Sequence, residues 1–279
     1  MIISIASGKG GTGKTTLAVN LALSLENNVQ YLDCDVEEPN GHIFLKPNIE
    51  NSLPVTTPIP EVDLSKCNYC GQCNEICEYH AIVVIKDNVL VFPQLCHSCA
   101  GCWLVCPEGA ITLKGREIGI VEQGQAGGIE FGHGRLNIGE AMSPPLIRAV
   151  KRQINTHKTV IIDAPPGTSC PVIEAIQRSD FVILVTEPTP FGLNDLRLAV
   201  EMTRVLKQKF GVVINRADIG NDDVRKYCEQ EQIDILMEIN NDRQLAEAYS
   251  RGLPWVVLKP EFKARFKELF QEVERSSRQ

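Results

Sequence analysis

Residues 8–15 read GKGGTGKT and satisfy two nucleotide-binding patterns at once. Gly8, Gly10 and Gly13 spell G-x-G-x-x-G, the dinucleotide fingerprint; Gly8, Gly13, Lys14 and Thr15 spell G-x-x-x-x-G-K-[ST], the phosphate-cradling P-loop. Asp33 lies 20 residues after Gly13, where the dinucleotide fold places a ribose-binding acid. That fold makes no demand for a lysine and a hydroxyl after the last glycine, yet Lys14 and Thr15 follow it directly. In a P-loop, backbone N–H groups wrap the phosphates, Lys14 reaches the β and γ oxygens, and Thr15 ligates Mg²⁺. The loop needs a strand before it and a helix after it, and 2–6 and 14–25 read as these. A second motif decides the matter. VIIDAPPG (160–167) puts Asp163 at the end of an apolar strand, the place of a Walker-B carboxylate that holds the Mg²⁺ shell.

Outward from these motifs, strands and helices alternate. Strands are expected at 29–34, 159–164, 181–186, 211–215, 235–239 and 255–258. Helices are expected at 144–155, 171–178, 192–208, 222–232, 242–250 and from about 261. Runs such as TVIIDA and FVILVT lack polar alternation, as central strands covered on both faces do. The fold class is therefore α/β, a mostly parallel sheet with helices on both faces. PVTTPIP (54–60) carries three prolines and reads as a linker. A glycine-rich stretch runs from Gly124 to Gly139. The division expected is one nucleotide-binding domain from 1–60 and 117–279, interrupted by a small insertion at 61–116.

The 279 residues are 43% hydrophobic and carry a net charge of -7, which argues against non-specific nucleic-acid binding. The opening MIISIAS runs straight into a strand without a charged n-region, and no apolar run reaches membrane-span length. A cytoplasmic protein with neither nucleic acid nor membrane as partner is expected. The last helix lines up Phe262, Phe266, Leu269, Phe270 and Val273; docking on the sheet is expected, because Glu268, Glu272 and Glu274 oppose an anionic lipid surface.

Eleven cysteines in such a chain point to metal, since disulfides rarely persist in the cytoplasm. Eight fall as Cys67-x2-Cys70-x2-Cys73-x3-Cys77 and Cys96-x2-Cys99-x2-Cys102-x3-Cys106-Pro107. Each cysteine of the first run recurs 29 residues later, and Ala81-Ile82 recurs as Ala110-Ile111, so the insertion is an internal duplication. Zinc draws its four ligands from two separated CxxC pairs, a poor fit to two 2-2-3 runs. The pattern resembles the bacterial ferredoxin with two [4Fe–4S] clusters. That resemblance implies one cluster on Cys67, Cys70, Cys73 and Cys106, and the other on Cys96, Cys99, Cys102 and Cys77. The first run ends Cys77-Glu78 where the pattern has Cys-Pro. His97 reads as a solvated loop residue, and Cys34, Cys170 and Cys228 as small buried hydrophobes.

The form K-G-G-x-G-K-T-T of residues 9–16 resembles the deviant Walker A motif of the MinD, Mrp and ParA superfamily, which includes the nitrogenase iron protein. With the cysteine runs, the chain resembles a MinD-superfamily ATPase with an inserted ferredoxin domain, over essentially its whole length. The resemblance implies ATP and Mg²⁺ bound by Gly8, Lys9, Gly10, Gly11, Thr12, Gly13, Lys14, Thr15 and Thr16. It implies two subunits facing each other across two ATP molecules, as a homodimer or a heterodimer with a similar chain. Lys9 then reaches the partner's phosphates as an arginine finger does. LDCDVEEPN (32–40) matches a first switch in which Asp35 orients the attacking water. DAPPGTSCP (163–171) matches a second, with Gly167 in reach of the γ-phosphate. Asn215 matches an adenine-contacting asparagine, and Arg216 stands where relatives often carry lysine. GRLNIGEAMSPPLI (134–147) is also similar to this group.

Three functions compete. The first, and the one expected, is ATP-gated electron transfer through two [4Fe–4S] clusters to an unknown redox partner. The second is iron–sulfur or metallocofactor assembly, as in Mrp-like members. Those members carry a CxxC pair in the C-terminal half, and here no CxxC lies outside the insertion; Cys170 and Cys228 stand 58 residues apart. The third, a positioning switch on membrane or DNA, is opposed by the acidic charge.

Overall fold

Five- and six-residue apolar runs become the middle of one nine-stranded sheet. The computed structural model describes residues 1–278. Its elements run β1 (Ile2–Ala6), α1 (Lys14–Leu25), β2 (Val29–Asp33), α2 (Gly41–Leu45), β3 (Asn48–Val62), α3 (Gln72–Glu75), β4 (Ile82–Ile85), β5 (Asn88–Val91), α4 (Gly101–Leu104), β6 (Ile111–Ala126) and β7 (Ile129–Leu136). They continue with α5 (Pro144–Lys151), β8 (Thr159–Asp163), α6 (Cys170–Ile176), β9 (Phe181–Thr186), α7 (Pro190–Val205), β10 (Phe210–Asn215), α8 (Asp223–Gln230), β11 (Ile235–Ile239), α9 (Arg243–Ser250), α10 (Trp255–Leu258) and α11 (Glu261–Arg278). The strand order is β11-β10-β9-β1-β8-β2-β7-β6-β3. From β11 to β7 the pairings are parallel; β7–β6 and β6–β3 are antiparallel.

Successive residues of a strand point to opposite faces, so a strand covered on both sides must be apolar at every position. β9 shows this: Phe181, Ile183 and Val185 enter one core with Leu17, Leu21 and Phe266, while Val182 and Leu184 enter the other with Leu146, Val172 and Leu196. Thus α1, α10 and α11 cover one face, and α5, α6, α7 and α8 the other. The last helix buries Phe262, Phe266, Leu269 and Val273, and its main partner is α1, with β11 beside it. Among the described residues no helix is long and apolar enough to cross a membrane.

The structure corrects three expectations and gives the glycine-rich stretch a shape. Residues 54–60 are not a linker but the middle of β3, which pairs with β6 from Asn48 to Val62. β3 is the sheet edge, where a proline's missing N–H can face outward at no cost in ladder bonds. Residues 255–258 form the helix α10, not a strand: Val257 and Leu258 donate to Pro254 O at 3.2 and 3.3 Å, and Trp255 is buried in the α1 core. Much of the glycine-rich stretch is the β6–β7 hairpin, and it requires its glycines. A Cβ on Gly124 would lie 2.0 Å from Asn48 O. Cys34 and Cys228 are buried as expected, but Cys170 is exposed at the start of α6.

β6 pairs with β7 only over Gly119–Ala126. Its first part, from Ile111 to Ile118, pairs only with β3, a two-stranded ribbon of up to about 25 Å. The cysteine-rich residues sit at the far end of that ribbon, with α3, α4 and a β4–β5 hairpin that forms its own two-stranded sheet.

Candidate nucleotide site and paired cysteine cavities

In a parallel sheet the loops at the carboxyl ends of the strands form the ligand crevice. β1, β8, β2, β9 and β10 here deliver Gly8–Thr16, Asp163, Asp33–Asp35, Glu187 and Asn215–Arg216 to that one edge. A cavity of about 330 Å³ opens there, large enough for a nucleotide. Gly10, Gly11, Gly13, Lys14, Thr15, Thr16, Asp35, Asn215 and Arg216 line it, with Asn241, Tyr249 and Trp255 on the far wall. Two glycines of the loop are required. Gly8 approaches α7 so closely that a Cβ would lie 2.2 Å from Asp195 O, and Gly13 has φ +97°.

The polar interior fits a phosphate–metal ligand. Thr12 Oγ1 and Asp163 Oδ1 are buried without a hydrogen-bond partner, a costly state for polar atoms unless a ligand completes them. The other Asp163 oxygen accepts from Tyr31 Oη at 3.1 Å. Burial lowers the Lys14 amine from its usual range, against the opposing pull of Asp163, Asp35 and Asp33. Burial also raises Asp163, and it raises Asp33 well above the ordinary carboxylate range with the Asp163 charge adding to it. Asp35 is pushed up to about 7, first by burial and then by Asp163. An anionic phosphate over Lys14 and a divalent cation at Asp163 would relieve both kinds of strain.

Each sequence-predicted residue can now be placed. Asp33 is no ribose ligand; it lies under the loop that follows β2 and accepts from the backbone N–H groups of Asp35, Asn40 and Gly41 at 3.1, 3.1 and 2.9 Å. Asn215 Nδ2 donates to Thr12 O at 2.9 Å and so braces the P-loop. Gly167 has φ +101° and donates its N–H to Ser7 O at 3.0 Å. Arg216 Nη1 meets Glu187 Oε1 at 2.6 Å, and Lys9 Nζ lies 3.8 Å from Glu187 Oε2. Glu187, Tyr31 and Trp255 were not singled out from sequence. An acid at the carboxyl end of a central strand was the available signal for Glu187. Tyr31 and Trp255 sit within apolar runs that gave none.

At the ribbon tip, the eight cysteines divide between two cavities. Cys67, Cys70, Cys73 and Cys106 line one; Cys77, Cys96, Cys99 and Cys102 line the other. Local geometry repeats with the 29-residue offset. Tyr69 and Ser98 have φ +57° and +55°, Gly71 and Ala100 +83° and +60°, His80 and Gly109 +50° and +57°. These left-handed turns aim backbone N–H groups at sulfur: Tyr69 to Cys67 and Ser98 to Cys96 at 3.4 Å, Ala81 to Cys77 and Ala110 to Cys106 at 3.3 Å. His97 is exposed on its loop, as expected, and stacks on the exposed ring of Tyr79 with centroids 3.4 Å apart. Among the described residues, no three His, Cys, Asp or Glu side chains are gathered tightly enough for a single metal ion.

The ribbon's root touches the loop around Asp35. Leu136 N donates to Val36 O at 2.9 Å, and Asn137 N to Ile118 O at 2.9 Å. The loop that holds Asp35 is thus one hydrogen bond from β7 and continuous through α2 with β3.

An uncharacterised protein of Methanocaldococcus jannaschii is 34% identical over 226 residues, covering 79% of this chain and 80% of the relative. The iron-sulfur cluster carrier protein of Pyrococcus abyssi is 24% identical over 294 aligned positions, covering 91% of this chain and 79% of the carrier. In fold, the chain is similar to the septum site-determining protein MinD of Pyrococcus horikoshii, solved with Mg-ADP. The TM-score is 0.57 at 22% identity, covering 98% of this chain and 95% of the other. Residues 3–255 match the CobQ/CobB/MinD/ParA nucleotide binding domain, and the chain belongs to that family.

Proposed function

We propose that the chain hydrolyses ATP as a nucleotide-dependent dimer and couples that switch to electron transfer through two [4Fe–4S] clusters. The observation that carries this reading is the connection between the sites. Eight cysteines, divided four and four between two cavities, sit on a ribbon whose root is hydrogen-bonded to the loop around Asp35. Three thiols from one run and the fourth from the other in each cavity fit a four-iron cubane better than a zinc ion held by two separated CxxC pairs. Residues 61–116 would then be the inserted ferredoxin domain. Bound there, the clusters supply one-electron relays at low potential.

The chain's own residues do the rest. Lys14 and the loop N–H groups hold the phosphates, Thr15 and Asp163 hold Mg²⁺, and Asp35 orients water. Lys9 of each subunit neutralises charge on the partner's nucleotide. Phosphate release loosens the loop at Asp35, and Val36 passes the change to Leu136 and the ribbon.

The test is the midpoint potential of each cluster by EPR, under anaerobic conditions, with Mg-ADP and with a non-hydrolysable ATP analogue. A shift of tens of millivolts is expected. The coupling is reciprocal, so a shift of about 59 mV corresponds to a tenfold change in nucleotide affinity on reduction. Equal potentials in both states would refute energy coupling.

A second reading is cluster assembly or delivery, favoured by relatives named iron-sulfur cluster carrier proteins. ATP-dependent transfer of iron and sulfide to an apo-ferredoxin would single it out.

A further inference from the structure

Glu187 follows directly on β9, at the same sheet edge as the P-loop. Its side chain is only 10% exposed, and two cations meet it: Arg216 Nη1 at 2.6 Å on one oxygen and Lys9 Nζ at 3.8 Å on the other. A buried carboxylate needs such partners, because desolvation without them is costly.

The two cations are held differently. Arg216 is anchored. Its backbone N–H donates to Asn215 Oδ1 at 3.0 Å, and Asn215 is itself bonded to Thr12 O at 2.9 Å. The Lys9 backbone is held too, its carbonyl accepting from Ser7 Oγ at 2.5 Å, so the difference lies in the side chains. Both side chains reach solvent, but the Arg216 guanidinium is within hydrogen-bond distance of Glu187 at 2.6 Å, whereas the Lys9 amine stands off at 3.8 Å. Losing Lys9 therefore leaves Glu187 still paired, which makes that contact the exchangeable one.

We propose that Glu187 is a positioning residue that retains Lys9 on its own subunit until a second subunit offers phosphates in exchange for the carboxylate. The proposal rests on the nucleotide-dependent dimer put forward above. While Lys9 is retained, it is withheld from trans contact, so an isolated subunit with ATP keeps hydrolysis low. Pairing exchanges two such contacts, one per subunit, for contacts to a more highly charged anion. Glu187 thereby sets the protein concentration at which ATP brings two subunits together.

Two measurements test this. In nucleotide-free protein, a zero-length carbodiimide should join the Lys9 amine to the Glu187 carboxyl within one chain, read by peptide mass spectrometry. A non-hydrolysable ATP analogue at high protein concentration should suppress that cross-link. Sedimentation with the analogue should then show Glu187→Gln dimerising roughly two- to thirty-fold more tightly than wild type, the effect of two solvent-facing ion pairs removed from the separated state. Glu187→Asp, too short to span the gap, should shift the same way, and both variants should melt cooperatively. An absent cross-link in the nucleotide-free chain, or an unchanged or weaker dimer in both variants, overturns the proposal. Wild type that cross-links but never dimerises with the analogue instead overturns the dimer reading, and the release step with it.

Discussion

Asp33 and Asp163 stand directly opposite each other on the adjacent parallel strands β2 and β8, in register and both buried. Asp35 lies two residues on, with its backbone N–H bonded to Asp33 Oδ1 at 3.1 Å. Three carboxyls thus share one amine, Lys14, and all three are raised from the usual carboxylate range, by burial before all else. The folded chain then keeps protons that the unfolded chain releases. The stability that Asp35 contributes in this way is full below about pH 4 and is lost as the pH rises through about 7, the value it reaches.

Calorimetry of the nucleotide-free protein should show this sign. Asp35→Asn should flatten the fall in melting temperature between pH 5 and 7.5. It should also raise the melting temperature at pH 7.5 by roughly 3–6 °C. A variant no more stable than wild type at pH 7.5 would refute the assignment of Asp35 as a strained carboxyl.

Hydrolysis divides the three predicted catalytic residues by role. Lys14→Ala removes the buried amine that the phosphates need, so both binding and turnover should collapse. Asp35→Ala should bind Mg-ATP yet lose about 10²–10⁴-fold in kcat, the range for a group that handles the nucleophile's proton or position. Lys9→Ala should also bind, and lose about 10³-fold or more, as loss of an arginine finger does. Iron content should be unchanged in all three. Normal hydrolysis by Asp35→Ala would remove it from the water site.

Much of this was legible because the motifs are local. GKGGTGKT needs only a strand before it and a helix after it, and VIIDAPPG needs only a buried strand to end at Asp163. The even 29-residue offset likewise specified two similar loops. What could not be read depends on partners distant in sequence. PVTTPIP looks like a chain breaker until β6 lies beside it and the prolines fall on an outer edge. WVVL has strand residues, but four of them after Pro254 close a helical turn once Trp255 has a core to enter. Glu187 could be noticed as an acid at a strand end, but its cation partners Lys9 and Arg216, 178 and 29 residues away, emerge only in the fold.

The glycines of the β6–β7 hairpin make that point testable. A Cβ on Gly124 would strike backbone at Asn48 O, 2.0 Å away, whereas at Gly115, out on the ribbon, the nearest atom is Thr56 Oγ1 at 3.4 Å. Gly124→Ala should cost roughly 1–3 kcal/mol in denaturant titration, and Gly115→Ala markedly less. Equal effects would mean that the β3–β6 register is wrong.

The division of cysteines between the cavities makes the sharpest demand. Cys77 is next to Cys73 in sequence order but lines the cavity of Cys96, Cys99 and Cys102; Cys106 crosses the other way. If clusters fill both cavities, Cys77→Ala should halve the iron content. It should also abolish the magnetic interaction between two reduced clusters in EPR. Alkylation followed by peptide mass spectrometry would identify which cluster is gone. In Cys77→Ala, Cys96, Cys99 and Cys102 should become reactive, while Cys67, Cys70, Cys73 and Cys106 stay protected. Cys106→Ala should give the converse pattern. The fourth thiolate must come from the opposite corner of a cubane, which a chain folded back on its own duplicate supplies and one tight loop does not. If Cys77→Ala instead exposes Cys67, Cys70 and Cys73, each run ligates by itself, and the crossed arrangement is refuted.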